Sequence, residues 1–292
     1  MSILNKIMNM FSGNNFKNKT TIIMNNMSNG PTTSKEFKFK GITSVVNDSI
    51  FDIVLNNNPS NLNDSCILDA PENQIDKIHL TEKNGTLFIS SDNGSFGKVK
   101  ISLVTCHLNK FINNSCGELD AIIVGKSLDF KNSGTGDVTL KANVGFIEIS
   151  NTGVGNLSGH FDSNNVKIES SGTGDIELNG SADSVVIENS SVGEFTGNIV
   201  CQSLKFENSG TGDVNISGSA VSVEIENTSA GDANFHNLKA EKIDFHASGT
   251  GDLDIYATKE ISGKSTGVGD VTYSGIKAVF IQNTGVGDVV YR

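Results

Sequence analysis

Tryptophan is absent from this 292-residue chain, and Arg292, the final residue, is its only arginine. The formal net charge is −11. No Lys/Arg-rich face is available to neutralise phosphates, which excludes a basic nucleic-acid binder. Proline is scarce, with 3 residues against 31 glycines, so the composition is neither collagen-like nor that of a Pro-rich linker. No apolar run approaches the roughly 18 residues of a membrane-spanning helix. Cys66, Cys106, Cys116 and Cys201 form no C-x-x-C pair, and the five histidines are scattered. Neither residue type has the spacing of a zinc site, so no metal or cofactor is expected and the thiols should be reduced and buried or inert. Met1 to Phe11 carries one lysine and no sustained apolar segment. No secretory signal is expected there, which places the chain in the cytoplasm or on a non-classical export route.

What the chain has in abundance is a repeat. NSCGE (114–118), SGTGD (133–137), TGVGN (152–156), SGTGD (171–175), SSVGE (190–194), SGTGD (209–213), TSAGD (228–232), SGTGD (248–252), TGVGD (266–270) and TGVGD (284–288) follow at steps of 19, 19, 19, 19, 19, 19, 20, 18 and 18. The fourth position is glycine in every copy: Gly117, Gly136, Gly155, Gly174, Gly193, Gly212, Gly231, Gly251, Gly269 and Gly287. A turn that needs φ > 0 at this position is the expected cause.

Period-2 segments flank each turn, such as LDFKN (128–132), IEISN (147–151), VKIES (166–170) and LKFEN (204–208) before it and VTL (138–140), IEL (176–178) and VNI (214–216) after it. Leu128 and Phe130 should face one way, Asp129 and Lys131 the other. A unit this short cannot bury its apolar face alone. Stacked units can, so the pattern predicts an all-β chain: a parallel β-helix or β-solenoid of about ten 19-residue coils, on the order of 45 Å long.

The residue before each turn runs Asn113, Asn132, Asn151, Ser170, Asn189, Asn208, Asn227, Ala247, Ser265, Asn283. Stacked amides in this column would form an Asn ladder, with Asn132, Asn151, Asn189, Asn208, Asn227 and Asn283 among its rungs. Ala247 follows the 20-residue step, where a disturbed register is expected. A second period of 38 overlies the first. Leu140, Gly159, Leu178, Gly197 and Ile216 alternate large and small, in antiphase with Ala142, Phe161, Gly180, Ile199 and Gly218. Two coil lengths fit. In a 19-residue coil the alternation is complementary packing between neighbours; in a 38-residue coil like stacks on like. The shorter coil is favoured, because the longer encloses more space than these side chains fill.

Upstream, residues 34–110 lack the repeat but read as strands, forming a β-rich head or N-terminal cap that continues into a solenoid over 111–292. Asn84-Gly85 marks a hairpin. Residues 1–33 are expected to be a flexible segment, with Ile3, Leu4, Ile7, Met8 and Phe11 on one face of a short helix. The succession FDIVL, CILDAPENQIDKI, NGTLFIS, KVKISL and then NSGTGD-type repeats resembles the head-GIN-domain family of autotransporter adhesins, over roughly residues 34–292. The resemblance implies a parallel β-helix-like fold, a surface or adhesive role and no catalytic residues.

Chemistry beyond the fold is thin. The acidic column Asp137, Asp175, Asp213, Asp232, Asp252, Asp270 and Asp288, with Glu118 and Glu194, could face cations, but one carboxylate per coil falls short of the six or more oxygens calcium takes. Turn carboxylates bonded to backbone N–H groups are the expected alternative. Glycan-cleaving β-helices need clustered acids with basic neighbours, and sugar binding favours exposed Trp or Tyr, of which the chain has only Tyr256, Tyr273 and Tyr291. The Ser/Thr column from Ser133 and Thr152 onward could also form a hydroxyl array of ice-binding type, although turn chemistry accounts for it. A non-catalytic structural or adhesive rod is therefore expected. An intracellular self-assembling scaffold is the alternative, and a glycan-cleaving enzyme comes third. The repeat runs to TGVGDVVYR without a cap, so self-association through the C-terminal edge of the solenoid is expected.

Overall fold

The computed structural model describes residues 30–276 and 279–292. The expected short helix over Ile3 to Phe11 lies outside them. Pairing in the rod follows the period of 19. Strand β9 (Leu119–Asn132) runs parallel to β10 (Val138–Asn151), with Leu119 beside Val138 and Asn132 beside Asn151. The same offset carries Ile176–Asn189 onto Phe195–Asn208, and that strand onto Val214–Asn227. A 38-residue coil is thereby excluded. In most coils the period-2 segments are joined into one extended run, with pairing skipped at a corner such as Gly145, between Val144 and Phe146, whereas Leu157–Asp162 and Asn165–Ser170 stay separate.

Alternation decides which face is inside. Leu128 and Phe130 are fully buried, and Asp129 points outward to receive Lys110 Nζ at 2.7 Å. Phenylalanines stack up the core, Phe206 lying 5.5 Å from Phe195 and 5.3 Å from Phe235, both edge-on. The alternation of large and small side chains is complementary packing. Gly159 lies between Leu140 and Leu178, and Gly180 between Phe161 and Ile199. A Cβ on Gly197 would come within 3.0 Å of Ile216 Cδ1, so each small residue makes room for a large neighbour.

In the head, coils do not stack in chain order. Strands β1 (Thr32–Phe39), β2 (Ser44–Asn47), β3 (Asp52–Asn57), β4 (Asp64–Pro71), β5 (Ile78–Lys83), β6 (Thr86–Ser91), β7 (Lys100–Thr105) and β8 (Lys110–Asn113) precede the regular rod. One coil, β2 with β3, lies between two others. It pairs with β6 and β7 on one side and with β8 and β9 on the other, all parallel. The chain therefore winds one coil, turns back to build a coil beneath it, and crosses over to continue above.

Antiparallel pairs close the lower end: β5 with β6, β4 with β7, and β1 with β4. The Asn84-Gly85 hairpin joins β5 to β6, with φ of 54° and 76°. Two buried side chains hold the crossover. Asn57 Oδ1 accepts from Thr105 Oγ1 and Leu108 N, each at 2.9 Å. Asp64 accepts from Ile42 N and Cys106 N, each at 2.9 Å. Backbone donors on both oxygens offset the cost of burying this carboxylate.

Two expectations are corrected. The turn glycines Gly136, Gly174, Gly212 and Gly251 are absent from the positive-φ residues. Their necessity is steric: a Cβ on Gly136, Gly155, Gly174, Gly193, Gly212, Gly231, Gly251, Gly269 or Gly287 would sit closer than 3.0 Å to the carbonyl of the preceding coil's column glycine. Gly117 would meet the Phe51 backbone in the same way. Nor is register disturbed at Ala247, which pairs directly with Asn227. The extra residue of the 20-residue step is absorbed earlier, since Asn215 faces Asn234 while Gly218 already faces Leu238.

Gly212→Ala should therefore lower stability by about 3 kcal/mol, because the clashing atoms are backbone and cannot step aside. Gly125→Ala, where the nearest atom to the new Cβ lies at 3.7 Å, should stay within about 0.5 kcal/mol of wild type. Urea denaturation of both variants checks the pair. Equal midpoints would remove the steric account.

Candidate functional site

Two interrupted polar ladders run along the rod, and both originate in the turn motif. The inner one is amide. Asn47 Nδ2 donates to Asn113 Oδ1 at 2.9 Å, Asn113 to Asn132 at 2.9 Å and Asn132 to Asn151 at 2.8 Å. It resumes from Asn189 to Asn208 at 3.0 Å and from Asn208 to Asn227 at 3.1 Å. These amides are buried, so each rung forms away from competing water, where a missing partner is costly. Asn283 is outside the ladder; its Nδ2 donates to Gly287 O at 2.8 Å.

The gaps are visible as orphaned atoms. Ser170 is too short to reach either neighbour, and both Asn151 Nδ2 and Ser170 Oγ are buried without partners. Ala247 offers no acceptor, and Asn227 Nδ2 is likewise unpaired. Ser265 Oγ, one coil beyond Ala247, is a further orphan.

The outer ladder is the acidic column, and its partners are backbone N–H groups of the next coil. Asp137 Oδ1 accepts from Asn156 N at 2.8 Å, Asn156 Oδ1 from Asp175 N at 2.9 Å and Asp175 Oδ1 from Glu194 N at 2.9 Å. The series continues from Asp213 to Asp232 N, Asp232 to Asp252 N, Asp252 to Asp270 N and Asp270 to Asp288 N, at 2.7–2.9 Å. Glu118 and Glu194 accept no such bond among the described residues, because one more methylene carries the carboxylate past the N–H. Glu194 Oε1 takes Asn215 Nδ2 at 2.9 Å instead. With one oxygen already committed, the column is a poor cation cage, and among the described residues no three His, Cys, Asp or Glu side chains are placed to hold a metal.

The hydroxyl column faces backwards as well. Thr152, Ser190 and Thr228 reach backbone carbonyls of the coil below at 3.2–3.3 Å, which commits the donor of each hydroxyl to the fold. Between this column and the outward row Glu169, Glu188, Glu207 and Glu226 runs an open groove of about 470 Å³. Lys167 bridges Glu169 and Glu188, and Lys205 bridges Glu207 and Glu224, so part of the acidic wall is neutralised in place.

The four cysteines are all free thiols. Cys66, Cys106 and Cys201 are buried, but Cys116 is exposed at the first turn of the rod. Burial pushes the Cys66 thiol up to about 12 and the Cys201 thiol up to about 11, which leaves both essentially unionised at neutral pH.

One member of the ladder system was not legible in the repeat. Asn47, Ser49, Phe51 and Asp52 occupy the turn one coil below Asn113, Ser115, Gly117 and Glu118, and Asp52 Oδ1 accepts from Glu118 N at 3.0 Å. Phe51 stands where every other copy has glycine, so the motif is unrecognisable. A phenylalanine fits because its ring packs against Phe96, centroids 5.0 Å apart.

Ser170→Asn should close the first gap, giving Asn151 an acceptor and Asn189 a donor. A rise of about 1 kcal/mol in stability is expected, the size of one regained buried hydrogen bond. Thermal melting of the variant beside wild type measures it. An unchanged or lowered midpoint would show that this coil cannot seat the amide.

The chain is similar to a putative adhesin from Parabacteroides distasonis ATCC 8503, with 16% identity over 89% of this chain and 98% of that one, at a TM-score of 0.47. A putative adhesin from Bacteroides fragilis NCTC 9343 shares 20% identity, covering 89% and 97% at a TM-score of 0.43. Among curated proteins, none matches. A family model described as putative auto-transporter adhesin, head GIN domain, matches residues 39–198 and 167–276. That description is of a surface-directed protein and lends no support to a cytoplasmic placement. Among the described residues no helix is long and apolar enough to cross a membrane. With well over half its length matched, the chain belongs to the family described as putative auto-transporter adhesin, head GIN domain.

Proposed function

We propose that this protein is a non-catalytic, surface-displayed rod whose work is structural or adhesive. The observation that carries the reading is how the repeated polar groups are used. The amides of the inner ladder bond to the next coil's amides, and the aspartates bond to the next coil's backbone. Groups committed in this way stiffen a shaft and are not free to move protons. Family membership supports the adhesive half of the reading. Protease shaving of intact cells that make the protein should release it, and beads coated with it should adhere to cells or matrix. Glycosidase or lyase turnover at a mapped site, or resistance to shaving in cells whose cytosolic controls are equally protected, would overturn it.

The same reading extends to the upper edge of the rod. Val279–Asn283 pairs with Leu253–Ser265, and Val289–Tyr291 with Val271–Gly275; no further described strand lies on the opposite side of either. Phe280 and Val286 stand 72% and 82% exposed there. Because antiparallel strands close the lower end, two copies would meet edge to edge at their upper coils. Sedimentation should show a concentration-dependent dimer that weakens when a folded domain is fused after Arg292. A monomer at all concentrations for both proteins removes this contact.

A further inference from the structure

The residue absorbed between Asn234 and Leu238 falls on the outward face of the strands that follow each bend. Lower on the rod, the second outward column of this face carries His160, Asn179, Asn198 and Ser217. Higher up its character changes. His236, Asp254, Tyr256 and Arg292 come together there, including the only arginine in the chain.

Their geometry is specific. His236 Nδ1 lies 3.4 Å from Asp254 Oδ1 and 3.4 Å from Ser274 Oγ. The Ser274 hydroxyl donates to Ile255 O at 3.5 Å, which leaves its lone pairs free to accept. Nδ1 therefore faces both oxygens, although Asp254 Oδ1 itself makes no hydrogen bond. Nε2 has no partner among the described residues and is open to a ligand. Asp254 Oδ2 receives Arg292 Nη1 at 3.1 Å, while the Arg292 side chain stays 67% exposed with further N–H donors open. The Tyr256 ring lies beside His236, centroids 6.1 Å apart at 67°.

An unpartnered imidazole nitrogen, a fork of donors and an aromatic ring therefore share a surface a few coils high, about 4.8 Å per coil. Adjacent hydroxyls of a pyranose ring supply the matching donor and acceptor, and the C–H face of the sugar packs on an aromatic ring. Asp254 and Arg292 cancel in charge, and the chain as a whole carries −11, which disfavours anionic sugars. We propose that His236, Tyr256 and Arg292, oriented by Asp254, bind an uncharged pyranose unit of a glycan. This rests on the adhesive reading and names its ligand class.

Saturation-transfer NMR on the full chain tests it, with methyl glucoside, methyl galactoside, methyl mannoside and N-acetylglucosamine as probes. At least one should receive transfer. The signal should fall at least tenfold in both Tyr256→Ala and Arg292→Ala and persist in His160→Ala, which sits in the same column lower on the rod. Arg292 is largely exposed, so its variant keeps the fold should Tyr256→Ala lose it. No transfer to any probe, or transfer unchanged in both variants, overturns the site. Bead adhesion that survives both variants also overturns it while leaving the adhesive reading intact. Transfer that depends on Tyr256 and Arg292 in a protein that adheres to nothing supports the site and overturns the adhesive reading instead.

Discussion

The close approach of each coil's bend to the one below governs the rest of the structure. Parallel strands fix the spacing of the coils at about 4.8 Å. At the bend, the carbonyl of one column glycine lies against the Cα of the next. No side chain fits in that gap, so the column is glycine for reasons of space. The bend in turn brings the preceding asparagines and the following aspartates into two vertical rows at hydrogen-bonding distance. Shape comes first, and the polar ladders are what the shape allows.

Each ladder also reads out side-chain length. In the outer row aspartate and asparagine reach the next N–H, whereas glutamate overshoots. In the inner row asparagine spans from coil to coil, whereas serine and alanine leave orphaned donors. The rod tolerates these defects because its buried apolar column is continuous through them: Ile149, Ile168 and Ile187 stack without interruption past Ser170. Burial of branched side chains contributes more per coil than one amide rung.

Much of the rod was legible because its physics repeats. The period of 19 gave the coil, alternation in segments such as LDFKN gave the buried face, and the Asn column gave the inner row. The head was harder to read. Phe51 hides a turn that only its Asn47 and Asp52 betray, and β2 is too short to stand out as a strand. No local pattern signals that β7 returns beneath β3, since that pairing joins residues far apart in sequence. The cause of the glycine column was also misread, because a glycine required by φ and one required by a neighbouring coil look identical in a single chain. The cluster around His236 depends on where one extra residue is absorbed, and a spacing of 20 does not say where.

The crossover in the head has a kinetic consequence. Rod contacts join residues about one coil apart, so the rod can grow by adding coils to an existing template at little loop-closure cost. The contacts that bind Asn47 to Asn113 span 66 residues, and the coil containing Asn47 must stay open on one side until the chain has gone out and returned. Closure of the head therefore carries a higher contact order than growth of the rod, and contact order of this kind slows folding. Synthesis from the N-terminus suits this difference: the template of higher contact order is made first, and the coils that zip onto it follow.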